Sequence, residues 1–353
     1  MNQQKKFCIL SIALLGFVAC TKSSGGNIDT DTLNKNILSD VSSIVITTSY
    51  EDMYAKSTSL SSAVAALIGS TNSTNLTNAR QAWKNMRMTW EQSEAWLFGP
   101  VSANDIDPRI DTWPVDFNAL NAELANGHAF TPDYIDGLAE DLKGFHPIEY
   151  LLWGQNGTKV AADFTDREKE YLQALTDNLT KLSEEVKDSW TTGGYAHILK
   201  TAGDQGNTSY PSIQSAFIEI ADAMEGICDE VANGKMHEPF ITQDASKEES
   251  PFAKNSITDF TNNIQGILKM YQGKFSADGK GIEDLVRHYN LSLDNAIKTQ
   301  HAAAIAALQT ITDPFGQAIF TQPIQIQNAM DKINDLAHTL RTKLKPFLQQ
   351  YAR

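Results

Sequence analysis

Apolar residues along this chain recur three and four positions apart, in run after run. Leu33, Ile37, Val41, Ile44 and Val45 form the first stripe, and Leu76, Ala79, Trp83, Met86, Trp90 and Leu97 form the clearest one. Tyr171, Leu172, Leu175, Leu179, Leu182 and Val186 behave alike, as do Ile213, Phe217, Ile220, Met224 and Ile227. Ile257, Phe260, Ile264, Leu268 and Tyr271 make another, and a last stripe runs from Ile324 through Leu336 to Leu348. This period of 3.6 places one greasy face on each of a series of amphipathic helices. No convincing set of alternating strands interrupts them, and Gly and Pro cluster between the runs. The pattern predicts an all-α protein of packed helical bundles. A Gly-rich stretch of low apolar density, Thr191 to Tyr210, divides it into helical subdomains of roughly 31–205 and 206–350.

The first residues read as an address. Lys5 and Lys6 precede an apolar run from Phe7 to Ala19, too short to span a bilayer, which ends in Val18-Ala19-Cys20. This is the signature of a bacterial lipoprotein signal peptide over residues 1–19, with cleavage before Cys20 and acylation of its thiol. Residues 20–30 then form a Ser/Gly-containing tether. The expected location is the cell envelope, lipid-anchored. With no acidic run after Cys20, the protein reads as attached to the outer membrane and facing the periplasm.

Charge and cysteine narrow the function. Removal of residues 1–19 takes two lysines from a net charge of −14 and leaves −16, which argues against nucleic acid as a partner. Cys228 is then the one thiol left besides Cys20, so a zinc site of the Cys₂His₂ type is excluded.

Three segments carry candidate chemistry. Arg87, Glu91 and Glu94 lie at i, i+4 and i+7 beside the Trp83/Trp90 seam, where charges are either half-buried and paired or solvated on a wet face. Between Gly99 and Phe117 the helical pattern breaks for longer than a simple connection needs. That break holds Asp105, Asp107, Asp111 and Asp116 with Val101, Ile106, Ile110, Trp113 and Phe117 as anchors. Its acids do not have calcium-loop spacing, and Asp is also a common turn and cap residue. Finally, Gly144-Phe145-His146-Pro147-Ile148-Glu149 places His and Glu at i and i+3. Such a pair can hold a divalent ion. Equally, Pro147 at the first helical position makes His146 the N-cap and Glu149 the third residue, a helix start with no other role.

Taken in order, Trp83 to Pro100, Asp111 to Asp116 and Gly144 to Gly154 resemble the imelysin family of bacterial envelope proteins. Glu249 to Phe260 and Tyr271 to Gly273 extend the resemblance, which covers roughly residues 31–350. It implies two helical bundles and a functional site at G-x-H-x-x-E, here Gly144, His146 and Glu149. Arg87, Glu91, Glu94, Trp113 and Asp116 occupy family-like segments. The family takes its name from an insulin-cleaving protease and is catalogued as metallopeptidase, while other members are iron-regulated or linked to iron uptake.

The residues weigh these activities differently. A zinc peptidase needs about three protein ligands, an open position and a base. The compact H-E-x-x-H arrangement is absent, since His237-Glu238-Pro239-Phe240-Ile241 has no second His. His128, His197, His288, His301 and His338 are scattered, and no G-x-S-x-G occurs. A divalent ion, Fe or Zn, held by His146, Glu149 and a carboxylate from Glu91, Glu94 or Asp116 suits the composition better. The alternatives are a metallopeptidase, or a metal-free adaptor for envelope partner proteins in which His146 and Glu149 hold a helix start against Trp113.

Overall fold

Short polar caps start several of the helices that the stripes predict. In a computed structural model that describes residues 29–192 and 194–353, Asp29 accepts the Thr32 amide and opens α1 (Thr30–Asp40). The residues 1–28, with Cys8, the signal peptide, Cys20 and most of the tether, lie outside the described residues. A wide-turn segment leads into α2 (Thr48–Gly69), and Asn72 caps α3 (Ser73–Ser93). The Gly99–Phe117 break is not unstructured: it holds the short α4 (Pro100–Ala103) and α5 (Ile106–Asp111), pinned by buried Val101, Ile106 and Ile110. Then come α6 (Phe117–Ala125), α7 (Pro132–Asp136), α8 (Phe145–Trp153), α9 (Asp166–Trp190) and α10 (Tyr195–Lys200). The second half comprises α11 (Ile213–Asp229), α12 (His237–Thr242), α13 (Ser256–Gln272), α14 (Ile282–Tyr289) and α15 (Leu291–Gln309). It ends with α16 (Phe315–Thr321), α17 (Pro323–Thr339) and α18 (Lys345–Tyr351). No β-strand occurs among the described residues.

The stripes face the core. Trp83, Met86 and Trp90 of α3 are fully buried, as are Tyr171 to Val186 of α9 at the striped positions, and α2 packs between α3 and α9. In the second half α13 packs on α15, and α17 packs on both α11 and α15. Ile324 departs from expectation: it stands at the N-terminus of α17, beyond the packed face, and is 80% exposed.

One contact between the halves positions the polar residues at the end of α3. Helix α13 lies against α3, and a side-chain carbon at Gly266 would come within 2.1 Å of the Gln92 carbonyl. Glycine there lets two backbones approach at the end of α3 where Arg87, Glu91 and Glu94 emerge. Within the described residues no helix is long and apolar enough to cross a membrane.

Candidate metal centre

Five segments deliver polar side chains to the α3–α13 junction. Helix α3 and the tight turn after it supply Arg87, Glu91 and Glu94, and the last residue of α5 is Asp111. The first turns of α8 supply His146 and Glu149. Lys235 ends a wide-turn segment after α11, while Glu249 precedes α13, which contributes Asp259 and Asn263.

Helix α8 begins differently from the expected cap. Gly144, at φ +83°, is the N-cap, so His146 and Pro147 are the second and third helical residues and Glu149 the fifth. A side-chain carbon at Gly144 would sit 2.2 Å from the Ile110 carbonyl, so the helix start is fixed by contact with the residue before Asp111 rather than by a polar cap. Pro147 is tolerated because first-turn amides have no intrahelical acceptor. Neither His146 nor Glu149 caps the helix; both are fully buried and point inward.

Arg87 is the hub. Its guanidinium reaches Glu91 at 2.7 Å and Glu249 at 2.5 Å, and pairs closely with Asp111. Asp111 also accepts the Trp90 indole N–H at 2.6 Å and stands 3.1 Å from His146 Nε2. On the other side of the ring, Glu149 Oε2 lies 3.5 Å from Nδ1, while Glu149 Oε1 accepts the amides of Phe252 and Ala253 at 3.0 and 2.7 Å. Glu149 therefore backs His146 and stays tied to the loop before α13. Both imidazole nitrogens, Glu149 Oε2 and Glu91 Oε1 are buried without a well-aligned hydrogen bond. Trp113 packs against the imidazole with ring centres 4.8 Å apart and the planes tilted by 51°.

A second layer joins the halves. Lys235 Nζ lies 2.9 Å from Glu94 and 3.4 Å from Glu249, and Asn263 donates to Glu91 and Glu94 at 2.7 and 2.5 Å. Asp259 is held by Ser250 and Asn255 at 2.6 and 2.7 Å.

The charges do not balance. Six carboxylates (Glu91, Glu94, Asp111, Glu149, Glu249 and Asp259) meet three basic groups, Arg87, Lys235 and His146. Burying so many acids is costly unless a positive charge or protons join them. The proton affinities respond accordingly. Burial, reinforced by neighbouring Glu91, holds Glu94 and Asp259 well above the usual carboxylate range. Burial also raises Asp111, but Arg87 and His146 outweigh it and hold that carboxyl far below the range. Burial works against a charged His146, yet Asp111 and Glu149 on its two nitrogens prevail and hold it at about 9.

Two sets of donor atoms lie within 4.8 Å of one another, Asp111/His146/Glu249 and Glu91/Glu94/Asp111. A cleft of about 240 Å³ opens beside them, lined by Glu94, Asp107, Asp111, Trp113, Lys235 and Glu249 among others. Its wall is acidic, and burial next to Asp111 pushes Asp107 up to about 6.

The structure thus brings together Arg87, Glu91, Glu94, Trp113, His146 and Glu149 of the predicted residues. Asp116 does not join them: its side chain is exposed and caps α6 through the amides of Asn118 and Ala119. Asp105 is likewise exposed. The sequence reading gave Asp111 no preference over its neighbours, and missed Lys235, Glu249 and Asp259 as members. Glu249 and Asp259 stood in a family-like segment, but nothing in sequence marked Lys235.

A charge-dense polar site buried where α3 meets α13 is what this helical architecture carries, and its chain belongs to the imelysin family, described as peptidase M75, whose profile matches residues 46–343. It is 28% identical over 341 residues to iron-regulated protein A of Synechococcus elongatus, covering 94% of this chain and 91% of the relative. Its fold is similar to that of an iron-regulated protein A precursor from Parabacteroides distasonis, with TM-score 0.82 and 25% identity over 93% of this chain and 97% of the other. An imelysin-like protein from Psychrobacter arcticum shares the fold at TM-score 0.75 and 13% identity, covering 92% and 97% of the two chains.

Proposed function

We propose that this protein is an iron-related, lipid-anchored envelope protein that binds a divalent metal ion through Asp111, His146 and Glu249, with Glu91 and Glu94 adjoining. The observation that carries the reading is the buried His146 ring, with neither nitrogen in a well-aligned hydrogen bond, set among excess buried carboxylates beside an open cleft. One imidazole with several carboxylates suits Fe or Zn, and iron agrees with the iron-regulated names of two relatives. Glu149 takes the place of the carboxylate that orients a metal-binding His from behind. Bound there, the ion would neutralise the surplus acid and bridge the two halves of the fold.

A peptidase fits less well. The cleft, at about 240 Å³, is below the size of most small-molecule sites, roughly 300–1,000 Å³, and leaves little room for a peptide. Glu149 hangs by one oxygen on two backbone amides and turns the other toward His146, and Glu249 is held by Arg87 and Lys235, so each is already engaged within the cluster. The metal-free adaptor is favoured by one observation, that Arg87 alone already pairs with three of the acids.

Titration calorimetry with Fe(II) and Zn(II) separates these readings. The wild type should bind one ion. His146→Ala should weaken it about 100-fold or more, and Glu149→Gln about 10–100-fold, the range expected of a supporting carboxylate. Because an ion takes the neutral imidazole and His146 is held at about 9, affinity should rise with pH, by about tenfold per unit, until that value is passed. Ion binding that ignores His146→Ala would remove the site, and peptide cleavage restored by zinc would favour the peptidase. For the anchor, Cys20→Ser should move the intact protein from the membrane to the soluble envelope fraction.

A further inference from the structure

Arg87 and Lys235 are held in this cluster in different ways. Arg87 is completely enclosed, and its planar fork is shared among Glu91, Asp111 and Glu249. It cannot leave without stranding three acids. Lys235 keeps 12% of its side chain exposed and lines the cleft. It hangs on a flexible four-carbon stem, as a point charge rather than a fork.

The position of that point charge is informative. Lys235 Nζ lies 2.9 Å from Glu94 Oε2, 3.4 Å from Glu249 Oε1 and 3.8 Å from Glu91 Oε2. All three acids belong to the two donor sets that can surround an ion. The ammonium therefore sits among carboxylates that a divalent ion would draw its ligands from. A divalent ion on those carboxylates and an ammonium a few ångströms away repel each other in a poorly screened site.

An outward partner exists. Glu230, five residues earlier on the same wide-turn segment, places Oε1 3.5 Å from Lys235 Nζ and is 55% exposed. It also lines the cleft, with Glu238, whose neighbour Lys247 pairs with it at 2.8 Å. A lysine released from Glu94 and Glu249 can turn toward Glu230 and water without losing its ion pair.

We propose that Lys235 is a built-in exchangeable counter-ion: it holds the carboxylates of the metal-free site, competes with the incoming divalent ion, and swings to Glu230 when the ion binds. The exchange keeps the acids compensated in both states and makes the ion easier to release than an all-carboxylate site would. This deepens the metal-binding reading and rests on it.

Zn(II) and Fe(II) titrations of the full chain test the idea, with Lys235→Met, Lys235→Arg and Glu230→Gln beside wild type and their folding checked by circular dichroism. Lys235→Met should tighten binding by about tenfold or more, the factor carried by one charged hydrogen bond. Lys235→Arg should not tighten it. Glu230→Gln should weaken it by about threefold, as loss of a partly exposed ion pair does. A purely structural lysine gives the opposite sign, so a folded Lys235→Met protein with unchanged or weaker affinity overturns the proposal. Should Lys235→Met fail to fold, a zinc-soaked crystal of the wild type decides: the ammonium withdrawn from Glu94 supports exchange, and one still bonded to it refutes exchange. If the wild type binds neither ion, the metal reading itself falls and takes this inference with it.

Discussion

Arg87→Met should lower the unfolding free energy by about 3–5 kcal/mol, the usual cost of removing one partner from a buried ion pair. Methionine fills much of the volume and keeps the contact with the Phe145 ring, over which the guanidinium now lies at 5.0 Å. It cannot replace the charge. Glu91, Asp111 and Glu249 would then face one another in a site already rich in acid. The loss should shrink as pH falls and these carboxyls take up protons, which chemical denaturation at two pH values would show. A variant as stable as wild type would mean that the acids find other compensation, and the charge imbalance would lose its force.

Gly144→Ala should cost about 2–4 kcal/mol, combining the left-handed backbone penalty with a steric one. At φ +83° an added carbon meets the Ile110 carbonyl at 2.2 Å, and backbone cannot yield as a side-chain tip would. Relief requires α5 and α8 to part, which moves Asp111 away from His146. Thermal unfolding should register the lost stability, and metal affinity should fall with it. An alanine variant with wild-type melting and binding would show that the close approach is not needed. The motif's glycine thus has a physical reason: it seats the His-bearing helix against the Asp-bearing one.

Much of this could be read in sequence because periodicity reports burial. Trp83 and Trp90 mark the inner face of α3, and the residues beside them, Arg87 and Glu91, are buried with it. The start of α8 was misread because Pro147 suggests a first helical position, whereas the true boundary is set by Gly144 meeting Ile110, a contact between distant segments. Asp116 illustrates the same limit. An Asp before an apolar helix caps it locally, and no sequence pattern tells which of four nearby acids turns inward. Asp111 turns inward because α5 ends there, in reach of Arg87, Trp90 and His146. Lys235, Glu249 and Asp259 come from the second half of the chain and become visible only when Gly266 lets α13 close on α3.

The arrangement explains why a helical scaffold would carry so costly a site. Each half alone would leave surplus charge unpaired: α3, α5 and α8 bring Glu91, Glu94, Asp111 and Glu149 against Arg87 and His146, and the second half adds Lys235 with two more acids. On the proposed reading, closure of the halves and occupation of the site would be linked, since an ion that binds the folded form stabilises it by mass action.

The most direct measurement is anomalous diffraction from crystals of this protein soaked in zinc or grown with ferrous iron, with data collected at the metal's absorption edge. The account predicts a single strong peak in contact with His146 and with carboxylate oxygens of Asp111 and Glu249. An anomalous map with no peak at His146, from crystals holding metal elsewhere, would contradict it.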